Sequence, residues 1–199
     1  MNFGKLLASN IAYRSLNISV GILITILLTR LMSAGGYGLL SLMIVNASLF
    51  SLVSCLGSES GITYHFASGK MQRGKIFSII YFIVFIQLIL LALTEFIHFS
   101  ITGHYWLTDG KELKFLLWGL IYLFSIAMID KYTAFFNGSH LYTLANKIVF
   151  FSNLLALCLL GWLYFFQAHK DIIFYIQVFI VITFLQAVLL IFFFLMVGG

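Results

Sequence analysis

Six long apolar runs, separated by short polar segments, constrain this chain more than any other feature of its sequence. Each run reaches the roughly 20 residues that an α-helix needs to cross the hydrocarbon core of a bilayer. Hydrophobic residues make up 62% of the 199 residues and charged residues only 9%, so a soluble domain of this size would lack polar cover. The sequence therefore predicts an all-α polytopic membrane protein, a single bundle of six transmembrane helices formed by residues 1–199. The predicted helices are Asn10–Leu31, Tyr37–Ala67, Ile76–Ile97, Leu113–Ala134, Leu144–Phe166 and Ile172–Val197.

The distribution of lysine and arginine predicts the orientation of this bundle. Cytoplasmic loops are enriched in these two residues, and the densest group is Lys70, Arg73 and Lys75, between the second and third predicted helices. We therefore expect the amino terminus to be cytoplasmic. The net charge of +5 is modest and spread over loops and helix ends. It argues against a nucleic-acid partner, which would need a dense basic face.

No arrangement of side chains in the sequence indicates catalysis, metal binding or a cofactor. Cys55 and Cys158 both lie inside apolar helices, where a free thiol is normally a buried and unreactive group. His98 and His104 flank the end of the third predicted helix but lack a third ligand at a spacing that would hold zinc. The sequence also has no Walker loop, dinucleotide fingerprint or nucleophile motif. We expect a protein that is not an enzyme and has no catalytic residue, metal or cofactor.

The first predicted helix carries a polar stripe on an otherwise apolar surface. Its members recur at offsets of three or four residues, which places them on one face of a helix. They are Asn10, Arg14, Asn17, Gly21 and Thr25. Because polar side chains inside a membrane are costly, the stripe is expected to face the interior of the bundle.

Four charged residues are predicted to lie within the membrane, where each costs about 2.5–3.5 kcal/mol on insertion scales. We take Arg30, Tyr37 and Phe115 as the outer boundary of the first, second and fourth predicted helices. A rise of about 1.5 Å per residue then places Arg14 about 24 Å below it, Asp130 about 22 Å, beside Lys131, and Glu59 about 33 Å. One interpretation is a polar cavity open to the cytoplasm, with a cationic side for an anionic head group and a carboxylate for ion coupling. The other is a structural Arg14–Asp130 ion pair, with Lys131 and Glu59 extending to the surface.

Three motifs resemble a family of bacterial membrane proteins. The run R-L-M-S-x-x-x-Y-G-L-x-S, at Arg30–Ser41, contains a predicted glycine-rich turn, Ala34–Gly38. It resembles the opening of bacterial polysaccharide transporters, as does L-G-S-x-S-G-I-T-Y-x-x-A-S-G-K at Leu56–Lys70. These proteins are the O-antigen and capsule flippases of the multidrug/oligosaccharidyl-lipid/polysaccharide superfamily. The run N-G-S-H-L-Y-T-L-A-N, at Asn137–Asn146, resembles their loop between helices four and five.

The resemblance implies a fold and a function. Such flippases have twelve or more helices in two lobes around a central cavity, and this chain corresponds to the amino-terminal six-helix lobe. They move polyprenyl-diphosphate-linked oligosaccharides across the bacterial inner membrane for surface polysaccharide biosynthesis. A lone lobe would need a second six-helix half or a homodimer.

The polar residues supply candidates for the translocation cavity. An arginine fork can hold two phosphate oxygens of a diphosphate and stays charged at any relevant pH. Asparagine and threonine offer partners for sugar hydroxyls. The predicted cavity residues are Arg14, Asn17, Thr25, Arg30, Glu59, Asp130 and Lys131.

Two other functions remain open at the level of the sequence. A drug or cation exporter of the same superfamily would have a cavity dominated by Glu59 and Asp130 instead of Arg14. A non-transporting membrane scaffold would use the polar stripe of the first helix only as a packing seam.

Overall fold

The computed structural model describes residues 3–69, 72–110, 112–139, 141–166 and 171–196, and its described part is almost entirely helical. The only strand-like feature in these ranges is an isolated bridge between Tyr105 and Gly110. The all-α prediction is therefore confirmed. Predictions that involve Lys70 and Val197 concern residues outside the described ranges. The helices are α1 (Phe3–Ser54), α2 (Ser58–Ala67), α3 (Arg73–Thr102), α4 (Leu113–Gly138), α5 (Tyr142–Phe166) and α6 (Ile172–Met196).

Helix α1 is two membrane crossings joined at Ser33. Five of the described helices are long and apolar enough to span a membrane, and the first of these spans, Ala8–Ser54, has 47 residues. At about 1.5 Å per residue it would be roughly 70 Å long, about twice the thickness of the hydrocarbon core. Ser33 interrupts it with non-helical angles (φ 64°, ψ 168°), which divides α1 into α1a (residues 3–32) and α1b (residues 34–54). The predicted turn at Ala34–Gly38 is wrong, since these residues are helical and one serine makes the break.

Contacts between helices give the direction of each crossing. Helix α1a runs parallel to α5, because Asn10 contacts Asn146 and Asn17 contacts Asn153 further along both helices. Helices α4 and α6 are also parallel, since the rings of Tyr122 and Phe179 and those of Tyr132 and Phe194 pair in the same order.

The second crossing is parallel to α4. Met43 lies against Gly119, and further along both segments the Thr63 hydroxyl donates to the carbonyl of Ala134. Short connections join α3 to α4 and α4 to α5, so these neighbours are antiparallel. The bundle therefore crosses six times in alternating directions. We call the side that holds Asn10 and α2 the amino-terminal side and the side that holds Ser33 the opposite side.

The second predicted helix, Tyr37–Ala67, is broken. Helix α1b ends at Ser54, and α2 begins at Ser58 after Leu56 (φ 48°) and Gly57 (φ 75°) adopt left-handed angles. Glycine adopts such angles without steric cost, whereas a leucine does so at a cost of about 1–2 kcal/mol. The break lets α2 take its own direction against α4.

Helices α3 and α4 extend beyond the carboxyl-terminal ends of their predicted apolar runs. Helix α3 continues past Ile97 to Thr102, and in this last part the hydroxyls of Ser100 and Thr102 donate to backbone carbonyls one turn earlier. It ends at Gly103, whose positive φ of 72° is typical of a helix terminus. Helix α4 continues to Gly138.

The opposite side of the bundle is covered by residues 103–110. The Glu95 carboxylate accepts the backbone N–H groups of Trp106 and Leu107, each at 2.8 Å. The side-chain amide of Asn46 donates to the carbonyl of Trp106 at 2.9 Å. The Leu107 side chain is fully buried against Gly119, where a Cβ atom would overlap it. This segment is therefore fastened to α1b, α3 and α4.

The six-crossing topology predicts that positions 72 and 109 lie on opposite faces of the membrane. Both are exposed, so a cysteine at either position should react with a thiol reagent that has access. We expect an impermeant reagent added to intact cells to label only one of Gln72→Cys and Asp109→Cys, in a background in which Cys55 and Cys158 are serine. The positive-inside rule favours labelling at position 109.

Labelling after membrane disruption is the control, because both positions should then react. If intact cells label both variants, the number of crossings is wrong. Labelling of Gln72→Cys alone would keep the six crossings and reverse the predicted orientation.

Candidate functional site

A polar cleft lies in the half of the bundle nearer the amino-terminal side. Its volume is about 910 Å³, which is within the usual size of small-molecule sites. Five helices contribute to its wall: α1a, α2, α4, α5 and α6. The polar lining residues include Arg14, Asn17, Glu59, Ser60, Thr63, Asp130, Thr133, Asn137, Asn146 and Gln186.

The polar stripe of the first helix has two roles, because some of its side chains pack against α5 and others line the cleft. Asn10 hydrogen-bonds Asn146, and Asn17 accepts a bond from Asn153 at 3.5 Å. Each helix thus carries two asparagines seven residues apart, a spacing of two helical turns that keeps both on one face. Arg14 lies between Asn10 and Asn17 in the sequence, remains exposed and lines the cleft. The stripe therefore serves both helix packing and the cleft wall.

The most buried charge in the described chain is the ammonium group of Lys131. Its side chain is 0% exposed, and its Nζ lies 3.4 Å from Oε1 of Glu59. The interpretation that Lys131 and Glu59 extend to the surface is wrong, because an ammonium group without access to water has to pair within the bundle. This ion pair joins α2 to α4.

Three further contacts hold α2 in the same place. The Thr63 hydroxyl donates to the carbonyl of Ala134 at 3.0 Å. A Cβ atom at Gly138 would lie 2.8 Å from the Thr63 carbonyl oxygen, so only glycine permits this approach. The rings of Phe66 and Phe135 pack with centroids 4.5 Å apart. Helix α2 is thereby fixed as one wall of the cleft.

Asp130 and Arg14 line the same cleft without forming an ion pair. The described residues contain three ion pairs, and neither residue takes part in any of them. The structural interpretation that pairs these two side chains is therefore wrong in this structure. Asp130 and Glu59 also line a second cavity of about 400 Å³, whose wall includes Ser48, Ser51 and Cys55 but not Arg14. The two cavities meet at these carboxylates.

The structure brings together four of the seven predicted cavity residues. Arg14, Asn17, Glu59 and Asp130 line the cleft. Lys131 lies behind the wall as the partner of Glu59.

Thr25 and Arg30 lie elsewhere. Both are exposed and neither lines the cleft. Thr25 lies eleven residues beyond Arg14, roughly 16 Å closer to the opposite side at the helical rise. Arg30 is further along the same helix, three residues before the Ser33 break.

Several polar residues of the cleft were not among the predicted cavity residues. Each sits in an apolar helix at the depth of the cleft, which is the signal that could have identified it. Four of them, Ser60, Thr63, Asn137 and Asn146, also belong to the motifs that carry the family resemblance. The residues are Ser60, Thr63, Thr133, Asn137, Asn146 and Gln186.

The charges of the cleft determine which ligands it suits. Lys131 neutralises Glu59, so Arg14 and Asp130 remain as separate positive and negative groups on a wall of amides and hydroxyls. Such a wall can pair an anionic group at Arg14 and hydrogen-bond a hydroxyl-rich group beside it. The described residues include no cluster of three or more His, Cys, Asp or Glu side chains that could hold a metal ion.

Comparison with known proteins finds no match to this chain among protein-family models, curated proteins or solved structures.

The Lys131–Glu59 pair predicts a large loss of stability when only one partner is removed. Glu59→Gln leaves the fully buried Lys131 ammonium group without a counter-charge, and stranding one partner of a buried pair in this way costs about 3–5 kcal/mol. We expect the double variant Lys131→Met/Glu59→Gln to recover most of this loss, because no uncompensated charge is left. Thermal unfolding of the detergent-purified protein measures both effects.

The matched control is the Lys114–Glu112 pair, whose side chains are 56% and 58% exposed. Glu112→Gln should cost only about 0–1 kcal/mol, as is usual for solvated pairs. A double variant as unstable as the worse single variant would show that Lys131 and Glu59 do not depend on each other.

Proposed function

We propose that this chain exports a lipid-linked oligosaccharide across the bacterial inner membrane, as one lobe of a larger or dimeric transporter. The product would serve O-antigen, capsule or other surface polysaccharide biosynthesis. The observation that carries the proposal is Arg14, an exposed guanidinium group on the wall of a polar cleft inside a membrane-spanning bundle. The resemblance of Arg30–Ser41, Leu56–Lys70 and Asn137–Asn146 to polysaccharide flippases supports the same function.

Arg14 has the chemistry that a diphosphate requires. A diphosphate carries several negative charges, and moving it through a membrane requires a cationic group shielded from lipid. Arginine presents several donors in a planar fork and stays charged at any physiological pH. In the proposed mechanism Arg14 pairs with the diphosphate that links the polyprenyl chain to the sugar.

The rest of the cleft wall supplies partners for sugar hydroxyls. Asn17 and Asn146 offer amides, and Ser60 and Thr63 offer hydroxyls, all on the same cleft. Such neutral donors and acceptors bind sugar hydroxyls without adding charge. Polar lining of this extent is costly in a membrane bundle that does nothing with it, which argues against a non-transporting scaffold.

The two ends of the bundle differ in a way that suits uptake from one side. The cleft lies in the amino-terminal half, while residues 103–110 are fastened over the opposite end by Glu95 and Asn46. With the orientation that the basic residues favour, the cleft would load substrate from the cytoplasm. Release would require the opposite end to open.

A second lobe would complete the cleft. Arg14, Asp130 and Asn137 are exposed although they lie in helices that cross the membrane. Polar and charged groups of spanning helices face protein or water, not lipid. The proposed partner is therefore a second six-helix half or a second copy of this chain.

A drug or cation exporter of the same superfamily is the second candidate. The observation that favours it is the cavity of about 400 Å³ that contains Glu59 and Asp130 but not Arg14. A cationic substrate would pair with Asp130 there. Neither candidate involves enzymatic chemistry.

The decisive variant is Arg14→Ala, with Arg30→Ala as its matched control. Both lose one arginine from α1a, but only Arg14 lines the cleft. In a host from which the gene is deleted, we expect Arg14→Ala to fail to restore surface polysaccharide and Arg30→Ala to restore it. Losing a charge-assisted contact should reduce export by about tenfold or more. Surface glycan and lipid-linked intermediates in the cytoplasmic leaflet are the measurements, with protein levels checked by immunoblot.

The deletion itself separates the two candidates. Loss of surface polymer with accumulation of lipid-linked intermediates supports the flippase. Normal surface glycan, combined with raised sensitivity to cationic drugs, rules out the flippase and supports the exporter.

A further inference from the structure

Gln186 of α6 presents an unpaired amide to the cleft. Its side chain lines the cleft and is only 7% exposed. It makes no hydrogen bond to another described residue. It is also not one of the described polar groups that are both enclosed and unpaired, so the amide is open to the space of the cleft. Because an unpaired amide is costly in an apolar bundle, it needs water or a ligand there.

Gln186 lies deeper in the cleft than the two free charges. Helices α4 and α6 are parallel, and Gln186 is roughly midway between their two ring contacts. The middle of the corresponding stretch of α4 is position 127, about one turn further from the amino-terminal side than Asp130. On α1a, Asn17 is likewise about one turn beyond Arg14. The cleft therefore has charges nearer the amino-terminal side and amides beyond them.

The chemistry around Gln186 selects a neutral group that both donates and accepts hydrogen bonds. A side-chain amide offers N–H donors and a carbonyl acceptor side by side. A phosphate group would leave the carbonyl unpaired, and an ammonium group would leave the N–H donors unpaired. Ile129 and Val149 line the same cleft and offer apolar contact. An acetamido group combines one donor, one acceptor and a methyl group, so it suits all of these partners.

We propose that Gln186 recognises the acetamido group of an N-acetylated sugar attached to the diphosphate. The two amides exchange a pair of hydrogen bonds, and the methyl group packs against Ile129 and Val149. Arg14 holds the diphosphate about one turn nearer the amino-terminal side, roughly 5 Å away along the helices. This separation matches a substituent next to the anomeric carbon of the sugar. The inference rests on the proposed export function and names the class of sugar that it acts on.

Two synthetic probes test this assignment on the full chain in detergent. They are the farnesyl diphosphates of N-acetylglucosamine and of glucose, which differ only in an acetamido or a hydroxyl group beside the anomeric carbon. We expect native mass spectrometry to show tighter binding of the N-acetylated probe. Gln186→Leu should reduce this preference by about fivefold, the effect of losing about one neutral hydrogen bond.

The matched control is Gln177→Leu, the same substitution in the same helix at a position that does not line the cleft. It should keep the preference. Thermal unfolding should find Gln186→Leu at least as stable as the unchanged protein, because leucine replaces a buried amide that has no partner in the fold. A clear loss of stability in Gln186→Leu but not in Gln177→Leu would give Gln186 a structural role and overturn the proposal.

Arg14→Ala separates this inference from the proposed export function. It should weaken the binding of both probes to a similar extent, because both carry the diphosphate. If it weakens both while Gln186→Leu keeps the preference, or if the unchanged protein binds both probes equally, only the assignment of Gln186 is overturned. If Arg14→Ala weakens neither probe, the export function fails and this inference fails with it.

Discussion

The burial of the Lys131 ammonium group is the constraint on which the polar half of this bundle depends. A charge that no water can reach is tolerated only beside an opposite charge, and Glu59 supplies it at 3.4 Å. Glu59 belongs to a short helix that the chain could otherwise direct elsewhere after the break at Gly57. The pair, with the contact from Thr63 to Ala134, fixes α2 against α4. The wall of the cleft exists because this short helix is held there.

The need to pair polar groups inside the membrane determines the structure at both ends of the bundle. In the half nearer the amino-terminal side, Asn10 and Asn17 each accept one amide hydrogen bond from α5, and Arg14 is left on the cleft. At the opposite end, the Glu95 carboxylate accepts hydrogen bonds from two backbone N–H groups of residues 103–110. Because unpaired polar groups are costly in a bilayer, each end is organised by its hydrogen bonds. One end keeps a polar cleft, and the other is covered.

The sequence predicted the existence of the helices well and their ends and breaks less well. A run of about 20 apolar residues has few alternatives to a spanning helix, so all six crossings were identified. Helix α3 continues past its apolar run until Gly103, whose positive φ ends it. The break between the first two crossings lies at Ser33 alone and not at the expected turn at residues 34–38. Such local choices depend on neighbouring helices, and apolar periodicity does not report them.

The sequence by itself determined that Arg14, Glu59, Asp130 and Lys131 need special surroundings, because charge in a membrane is costly wherever it lies. Only the tertiary structure decided which of them pair. Met43 contacts Gly119 of α4, and Glu59 pairs with Lys131 of the same helix. The first members of the two contacts, Met43 and Glu59, are sixteen residues apart along the chain. The α4 members, Gly119 and Lys131, are only twelve residues apart. The break before α2 absorbs this difference of four residues, about one helical turn. An estimate that treats the helix as straight places Glu59 about one turn deeper than Lys131. The break before α2 brings the two charges to a similar depth.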